Sequence, residues 1–301
     1  MPEDTAWRQL MTRPLLAEDA LTQFKTWLKG HIPEFQASTD PLAWRQAAAR
    51  LRQAALTQVY LRGWSPAWLA GEPQVRWGEV LTPHPAYRIR KLCYQIHPQY
   101  WVPAALYEPT NLSGPAPVVL NPNGHHRGGK AADYKQLRCI NLAKRGCLAL
   151  NFEFIGMSEL EADANHMDLA FQDLTGVAGV GFFYQAMKRG LDVVLAHPQA
   201  DRQRVAMTGL SGGGWQTIVL SALDERITLT VPVAGYTAIR ARIGCPRDIG
   251  DLEQAPPDLT TVLDYQDLTA MLAPRPTLII TNEFDDCCFK TADAKPIVDR
   301  R

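Results

Sequence analysis

The sequence predicts an α/β fold: a mostly parallel central sheet with helices on both faces and an N-terminal helical extension. Three observations carry this. Short apolar runs separated by Pro, Gly and Asn begin near residue 75, helix and strand patterns alternate after Asn123-Gly124, and a glycine-flanked serine, Gly209-Leu210-Ser211-Gly212-Gly213, joins one strand pattern to one helix pattern.

Residues from about 16 to 60 place apolar side chains at helical spacing, most clearly from Pro41 to Leu56, where Asp40 suits the N-cap and Pro41 the first turn. The segments Val75 to Leu81, Tyr87 to Ile96, Trp101 to Tyr107 and Val118 to Asn121 read as successive strands. Beyond them the expected order is a helix near 131–145, the strand Cys147 to Phe152, a long helix near 176–197, the strand Arg204 to Thr208 and a helix from Gly212 to Leu223. The strand Ile227 to Val233, a helix near 264–272 and the strand Thr277 to Thr281 complete it. Such alternation means βαβ units. The expected domains are a helical extension over 1–70 and an α/β domain over 71–301, with a cap insertion in the Pro- and acid-rich stretch near 240–263.

Of the 301 residues, 46% are hydrophobic and 21% charged, enough apolar material for a sizeable core. Lys plus Arg equals Asp plus Glu at 31 each, so no net field draws nucleic acid or an anionic membrane, and a small or neutral substrate is the expected partner. The composition leaves the oligomeric state open. No run approaches the roughly 18 apolar residues of a membrane span. The acidic N-terminus lacks the basic start of a signal peptide, so the chain as written reads as cytoplasmic, or as secreted or periplasmic if a leader has been removed. The six cysteines form no CxxC pair and no zinc-ligand cluster; one bridge from Cys245 to Cys287 or Cys288 is the single pairing considered.

The chemistry is read from three places. Ser211 between glycines fits a strand-to-helix elbow, where the nucleophile is held in a strained turn and a Cβ at Gly209 or Gly213 would collide with neighbouring backbone. A serine needs a base to take its proton and N–H groups to receive the developing oxyanion. Val118 to Gly124 is a buried strand ending in a turn about ninety residues upstream, from which the N–H of His125 would join that of Gly212 as an oxyanion hole. As metal ligands, the adjacent side chains of His125 and His126 diverge and lack a carboxylate at ligand spacing, so neither metal nor cofactor is expected. The apolar strand from Pro276 to Thr281 leads into a turn bearing Asp285, the preferred acid, with Asp286 and Glu283 as alternatives.

Taken together, Tyr100 to Pro109, Asn123-Gly-His-His126, Glu153 to Ser158, Gly209 to Gly213, and Ala273 to Asp285 resemble the α/β-hydrolase superfamily, and within it the branch similar to acetyl xylan esterases and bordering on dienelactone hydrolases. The resemblance spans about residues 75 to 289. It implies a serine carboxylic ester hydrolase working through an acyl-enzyme on acetylated carbohydrate or other small esters, with Ser211 as nucleophile, Asp285 as acid, and the His125 and Gly212 N–H groups as the oxyanion hole. A prolyl-oligopeptidase-like peptidase is the alternative within hydrolases, though the short helical N-terminus leaves no room for a propeller domain. A non-catalytic scaffold is the alternative outside them, because the family's triad histidine should follow Asp285 and none does. The seven histidines are His31, His84, His97, His125, His126, His166 and His197. Against that family pattern the resemblance implies a C-terminally truncated 71–301 domain, lacking the last strand and helix; a base borrowed from His166, His125 or His126 is the other account, with His166 read as a solvated loop residue.

Overall fold

Alternation of apolar side chains along neighbouring segments builds a seven-stranded sheet whose two faces bury separate sets of residues. The computed structural model describes residues 8, 17–161, 166–243, 252–285 and 289. In chain order the elements are α1 (Ala17–His31), α2 (Pro41–Ala55), a π-helical turn (Leu56–Tyr60), α3 (Pro66–Leu69), β1 (Val75–His84), β2 (Tyr87–His97), β3 (Tyr100–Pro109) and β4 (Ala116–Pro122). There follow α4 (Asp133–Lys144), β5 (Leu148–Phe152), α5 (His166–Leu174), α6 (Val180–Leu195), β6 (Ala200–Leu210), α7 (Gly212–Leu223) and β7 (Leu229–Val233). The short helices α8 (Ile239–Arg242), α9 (Leu259–Val262) and α10 (Tyr265–Ala270) come last.

The strand order is β1-β2-β3-β5-β4-β6-β7. The β1-β2, β2-β3 and β3-β5 pairs are antiparallel, whereas β4 pairs in parallel with both β5 and β6, and β6 with β7. The expected strand 277–281 makes only two parallel bridges to β7, Thr230 to Thr277 and Val233 to Ile280, and leaves Leu278 and Ile280 exposed. The chain leaves β4 toward β5 on one side, then returns past β4 to β6 on the other. This reversal opens a crevice at the carboxyl ends of β4 and β6, the place where parallel sheets put ligands.

One face of the sheet carries Leu92, Tyr94 and Ile96 of β2, Val102, Ala104 and Leu106 of β3, Val118 and Leu120 of β4, and Leu148, Leu150 and Phe152 of β5, packed against α6 and α7. The opposite face carries Tyr87, Ala105, Tyr107 and Ala149 against Cys139 and Ala143 of α4. Helix α6 is buried along almost its whole length because the N-terminal helices cover it in turn. Trp64 Nε1 donates to Ala178 O at 2.9 Å, Tyr94 OH donates to Ala186 O at 2.7 Å, and the buried Arg189 guanidinium closes the α3 turn through Leu69 O at 2.9 Å.

The N-terminal helices share the main core, through Ala48, Ala55, Val59, Tyr60 and Trp64. Asp40 caps α2 as its sequence suggests, accepting from Leu42 N and Ala43 N. Trp44 Nε1 donates to Ala270 O at 3.2 Å, Arg52 Nε to Ala222 O at 3.0 Å, and Arg240 Nη1 to Lys29 O and Ile32 O at 3.0 Å each. Among the described residues no helix is long and apolar enough to cross a membrane. Cys93, Cys139 and Cys147 are free thiols, and the considered bridge from Cys245 to Cys287 or Cys288 lies outside the described residues.

Two boundaries differ from expectation. The single helix expected over 176–197 begins only at Val180, because Gly176 at φ +82° ends the preceding turn, and a separate helix, α5, precedes it. Strand β6 starts at Ala200, since Ala116 and Pro117 pair with Ala200 and Asp201 although that part of the strand is polar and largely exposed.

At the far end of the sheet, Glu108 is buried and accepts from Arg88 Nε at 2.9 Å, Arg90 Nε at 3.3 Å and His197 Nε2 at 3.1 Å. Burial alone would raise its pKa, but the bonds from His197 and Arg88 and the charges of Arg88 and Arg90 outweigh it and hold the group down from 4.5 to about 2. A depressed folded-state pKa stabilises the fold above pH 4.5 and ceases to do so as pH falls toward 2. The Glu108→Gln variant is therefore expected to be less stable at neutral pH by about 3 kcal/mol, with the difference from wild type shrinking between pH 4.5 and 2, as checked by denaturant unfolding across that range.

Candidate active site

Ser211 stands between β6 and α7 with φ +57° and ψ −121°, a conformation that L-residues rarely adopt and that persists only where surrounding structure enforces it. Three backbone segments enforce it. Ser211 N donates to Val233 O at 3.0 Å, tying the elbow to the end of β7, and the Gly235 backbone packs so closely on the Ser211 carbonyl that a Cβ there would overlap it. A Cβ on Gly209 would stand 2.5 Å from Gly213 O, and one on Gly213 would stand 2.5 Å from Pro122 O at the end of β4. The missing Cβ atoms at Gly209, Gly213 and Gly235 let three turns meet at one point.

The third turn follows β4. A Cβ on Gly124 would lie 2.7 Å from the Gly212 amide nitrogen, so the backbone leading into His125 runs against the first N–H of α7. Asn123 fixes this approach: its Nδ2 donates to Asn151 Oδ1 at 2.8 Å and to Phe152 O at 2.5 Å, while Gln216 Nε2 donates to Asn123 O at 2.5 Å. Further along, the buried Glu153 carboxylate accepts from Lys130 N at 3.0 Å and from Lys130 Nζ at 3.1 Å, and the Lys130 ammonium also meets Glu159. Burial raises the Glu153 pKa and Lys130 opposes that rise. The short 124–131 connection is thus clamped from β5. Asn123 and Glu153 stand in segments that carry the family resemblance, but their clamping contacts depend on partners far away in sequence and were not foreseen.

Asp285 lies past the segment that bridges to β7, at the same end of the sheet as Ser211, and accepts from Asn282 Nδ2 at 3.4 Å. Glu283 is exposed in the turn before it, and Asp286 lies outside the described residues. Asp285 is half-buried. The structure thus gathers Gly209, Ser211, Gly212, Gly213 and the Gly124-His125 backbone, with Asp285 at the same end of the sheet.

His166 differs from expectation. It opens α5 instead of lying on a solvated loop, and it is buried against Phe154 and Phe183, with ring centroids 4.8 and 5.0 Å away. Its Nε2 donates to Ile155 O at 2.5 Å and its Nδ1 lies 3.2 Å from His125 Nε2, so both ring nitrogens have close partners within this cluster. A carboxylate does approach these histidines: Glu253 Oε2, buried, lies 3.9 Å from His166 Nδ1. No carboxylate stands at ligand spacing from His125 in the sequence; the fold brings one from a distant segment. Glu253 comes from the stretch 240–263, whose described residues from Leu252 to Gln254 are buried, with Tyr265 OH donating to Gln254 O at 2.6 Å and Trp215 Nε1 to Tyr265 OH at 2.7 Å.

A seven-stranded sheet flanked by helices, with a strained serine at a strand-to-helix elbow, defines an α/β-hydrolase-type fold. The family model described as acetyl xylan esterase (AXE1) matches residues 72–245, more than half of the chain, and the chain belongs to that family. Among solved structures, a methylesterase superposes with TM-score 0.62 at 22% identity over 90% of this chain and 57% of its own, so the chain spans little more than half of that protein's length. A Bacteroides fragilis protein assigned as an acetyl xylan esterase gives TM-score 0.69 at 18% identity, covering 87% of this chain and 74% of its own. The acetyl xylan esterase 1 of a Thermoanaerobacterium species gives 0.57 at 14%, covering 91% and 88%. At such identities the likeness is one of fold. No curated protein sequence matches the chain.

The packing yields a direct test. Because the obstacle at Gly213 is backbone, Gly213→Ala is expected to destabilise the protein by about 1–3 kcal/mol in denaturant unfolding, whereas Gly146→Ala, with open space around its Cβ position, lacks that clash and costs only the strain of its positive φ.

Proposed function

We propose that the chain is a serine carboxylic ester hydrolase that works through an acyl-enzyme, on acetylated carbohydrate or another small ester. The observation that carries the reading is the strained Ser211 backbone facing the Gly124-His125 turn across the Gly212 amide. Ser211 Oγ attacks the ester carbonyl, and the N–H groups of Gly212 and His125 receive the oxyanion in a position that needs no rearrangement during reaction. A general base takes the proton from Ser211 Oγ and passes it to the alcohol oxygen as the C–O bond breaks; in the second half it takes a proton from water, which attacks the acyl-enzyme and releases the acid while the serine is reprotonated. Asp285 is the acid that orients and balances the general base. The role of His125 runs through its backbone amide, and the ring nitrogens of His166 are engaged by His125 Nε2 and Ile155 O. Family membership supports the ester class, and the acetylated carbohydrate follows from the family description.

Hydrolysis of p-nitrophenyl acetate tests this. Ser211→Ala is expected to lower the rate by about 10³-fold or more, and His125→Ala, which keeps the backbone N–H, to stay within about tenfold of wild type. Equal rates for wild type and Ser211→Ala would favour a non-catalytic scaffold, and a loss in His125→Ala as deep as in Ser211→Ala would move the base role to that imidazole.

A further inference from the structure

Beside the elbow, three side chains from three separate segments converge. His125 follows β4, His166 opens α5, and Glu253 comes from the stretch before α9; their ligand atoms all lie within 4.8 Å of one another. His125 Nε2 and His166 Nδ1 are 3.2 Å apart, and His166 Nδ1 and Glu253 Oε2 are 3.9 Å apart. Two imidazole nitrogens at that separation cannot both present lone pairs to each other without a proton or a cation between them.

We propose that these three residues form a binding site for a divalent transition-metal ion of borderline character, Zn²⁺ above all, with two neutral imidazoles and one carboxylate as ligands. A tetrahedral zinc ion with bonds of about 2.0–2.2 Å sets neighbouring ligand atoms about 3.3–3.5 Å apart. The histidine pair is already close to that spacing, and the remaining adjustment, on the order of 1 Å, falls on Glu253, whose oxygen is 3.9 Å from His166 Nδ1 within a cluster that spans 4.8 Å. Imidazole ligands select zinc and its neighbours over Mg²⁺ and Ca²⁺, which favour all-oxygen shells.

The surroundings resemble the outer shell of a metal site. The Ile155 carbonyl accepts from His166 Nε2, which fixes the proton on that nitrogen and directs Nδ1 toward His125 and Glu253. Glu253 Oε1 accepts from Gln254 Nε2 at 3.1 Å, and Gln254 Oε1 in turn accepts from Arg242 Nη1 at 3.1 Å, so the carboxylate is braced from behind. The edges and faces of Phe154 and Phe183 give His166 an apolar wall, and the exposed His125 provides the way in for an ion. On binding, His125 moves its proton from Nε2 to Nδ1, and a ligand position opposite the protein remains for water.

Isothermal titration of the tag-free full chain with ZnCl₂ tests the site, with circular dichroism confirming that each variant folds. The expected result is one ion per chain, with affinity reduced about tenfold or more in His125→Ala, His166→Gln and Glu253→Gln, and unchanged in Ser211→Ala, which separates this site from the esterase reading. Co²⁺ substitution is expected to give the visible absorption of a tetrahedral ion, lost in His125→Ala, a surface substitution that spares the core. Absence of binding, or binding that persists equally in His125→Ala and Glu253→Gln, would overturn the proposal and leave the cluster as a hydrogen-bonded relay.

Discussion

Everything at the active end of this molecule depends on the close approach of three backbone turns around Ser211. The turn after β4 contributes Pro122 to Gly124, the elbow contributes Gly209 to Gly213, and the turn after β7 contributes Val233 to Gly235. Each approach is possible only because a Cβ is missing at the point of contact, and each holds the serine in a region of backbone space it would leave if released. Strain at one residue is tolerated because the sheet on one side and α7 on the other leave no room for relaxation. The proposed chemistry follows from this arrangement, since an oxyanion hole helps only when its N–H groups are fixed before the charge develops.

The parts farther from the elbow serve to keep these turns in place. Asn123 and Glu153 clamp the β4 connection to β5 from two points. Trp215, Tyr265 and Gln254 form a buried hydrogen-bonded chain that joins α7 to the stretch carrying Glu253. The N-terminal helices close the outer side of α6, through Tyr60 and Trp64, and reach α7 through Arg52 and α10 through Trp44. Removal of the extension would expose core and not merely a surface.

Much of this was legible in the sequence. Helix α7 begins and ends where expected because a glycine-rich start and an apolar run without Pro or Gly leave little choice, and Asp40 caps α2 by a local contact that any reader of the motif can foresee. What escaped was non-local or masked by polarity. The first residues of β6 are polar, yet they pair with the start of β4; α5 is short, and the glycines at 176 and 179 divide it from α6. The convergence of Glu253 with His166 and His125 joins residues roughly 40 to 130 apart in the chain, and no spacing rule reaches that far. Alternation identified the sheet, but the meeting of side chains across it came only with the fold.

The central claim is that Ser211 is an activated nucleophile and not simply the residue that occupies a tight turn. The most direct measurement is covalent labelling with a fluorophosphonate, followed by peptide mass spectrometry. The account predicts one adduct per chain, on the peptide holding Ser211, and none in Ser211→Ala. Labelling absent from the wild-type chain, or located on another residue, would contradict it.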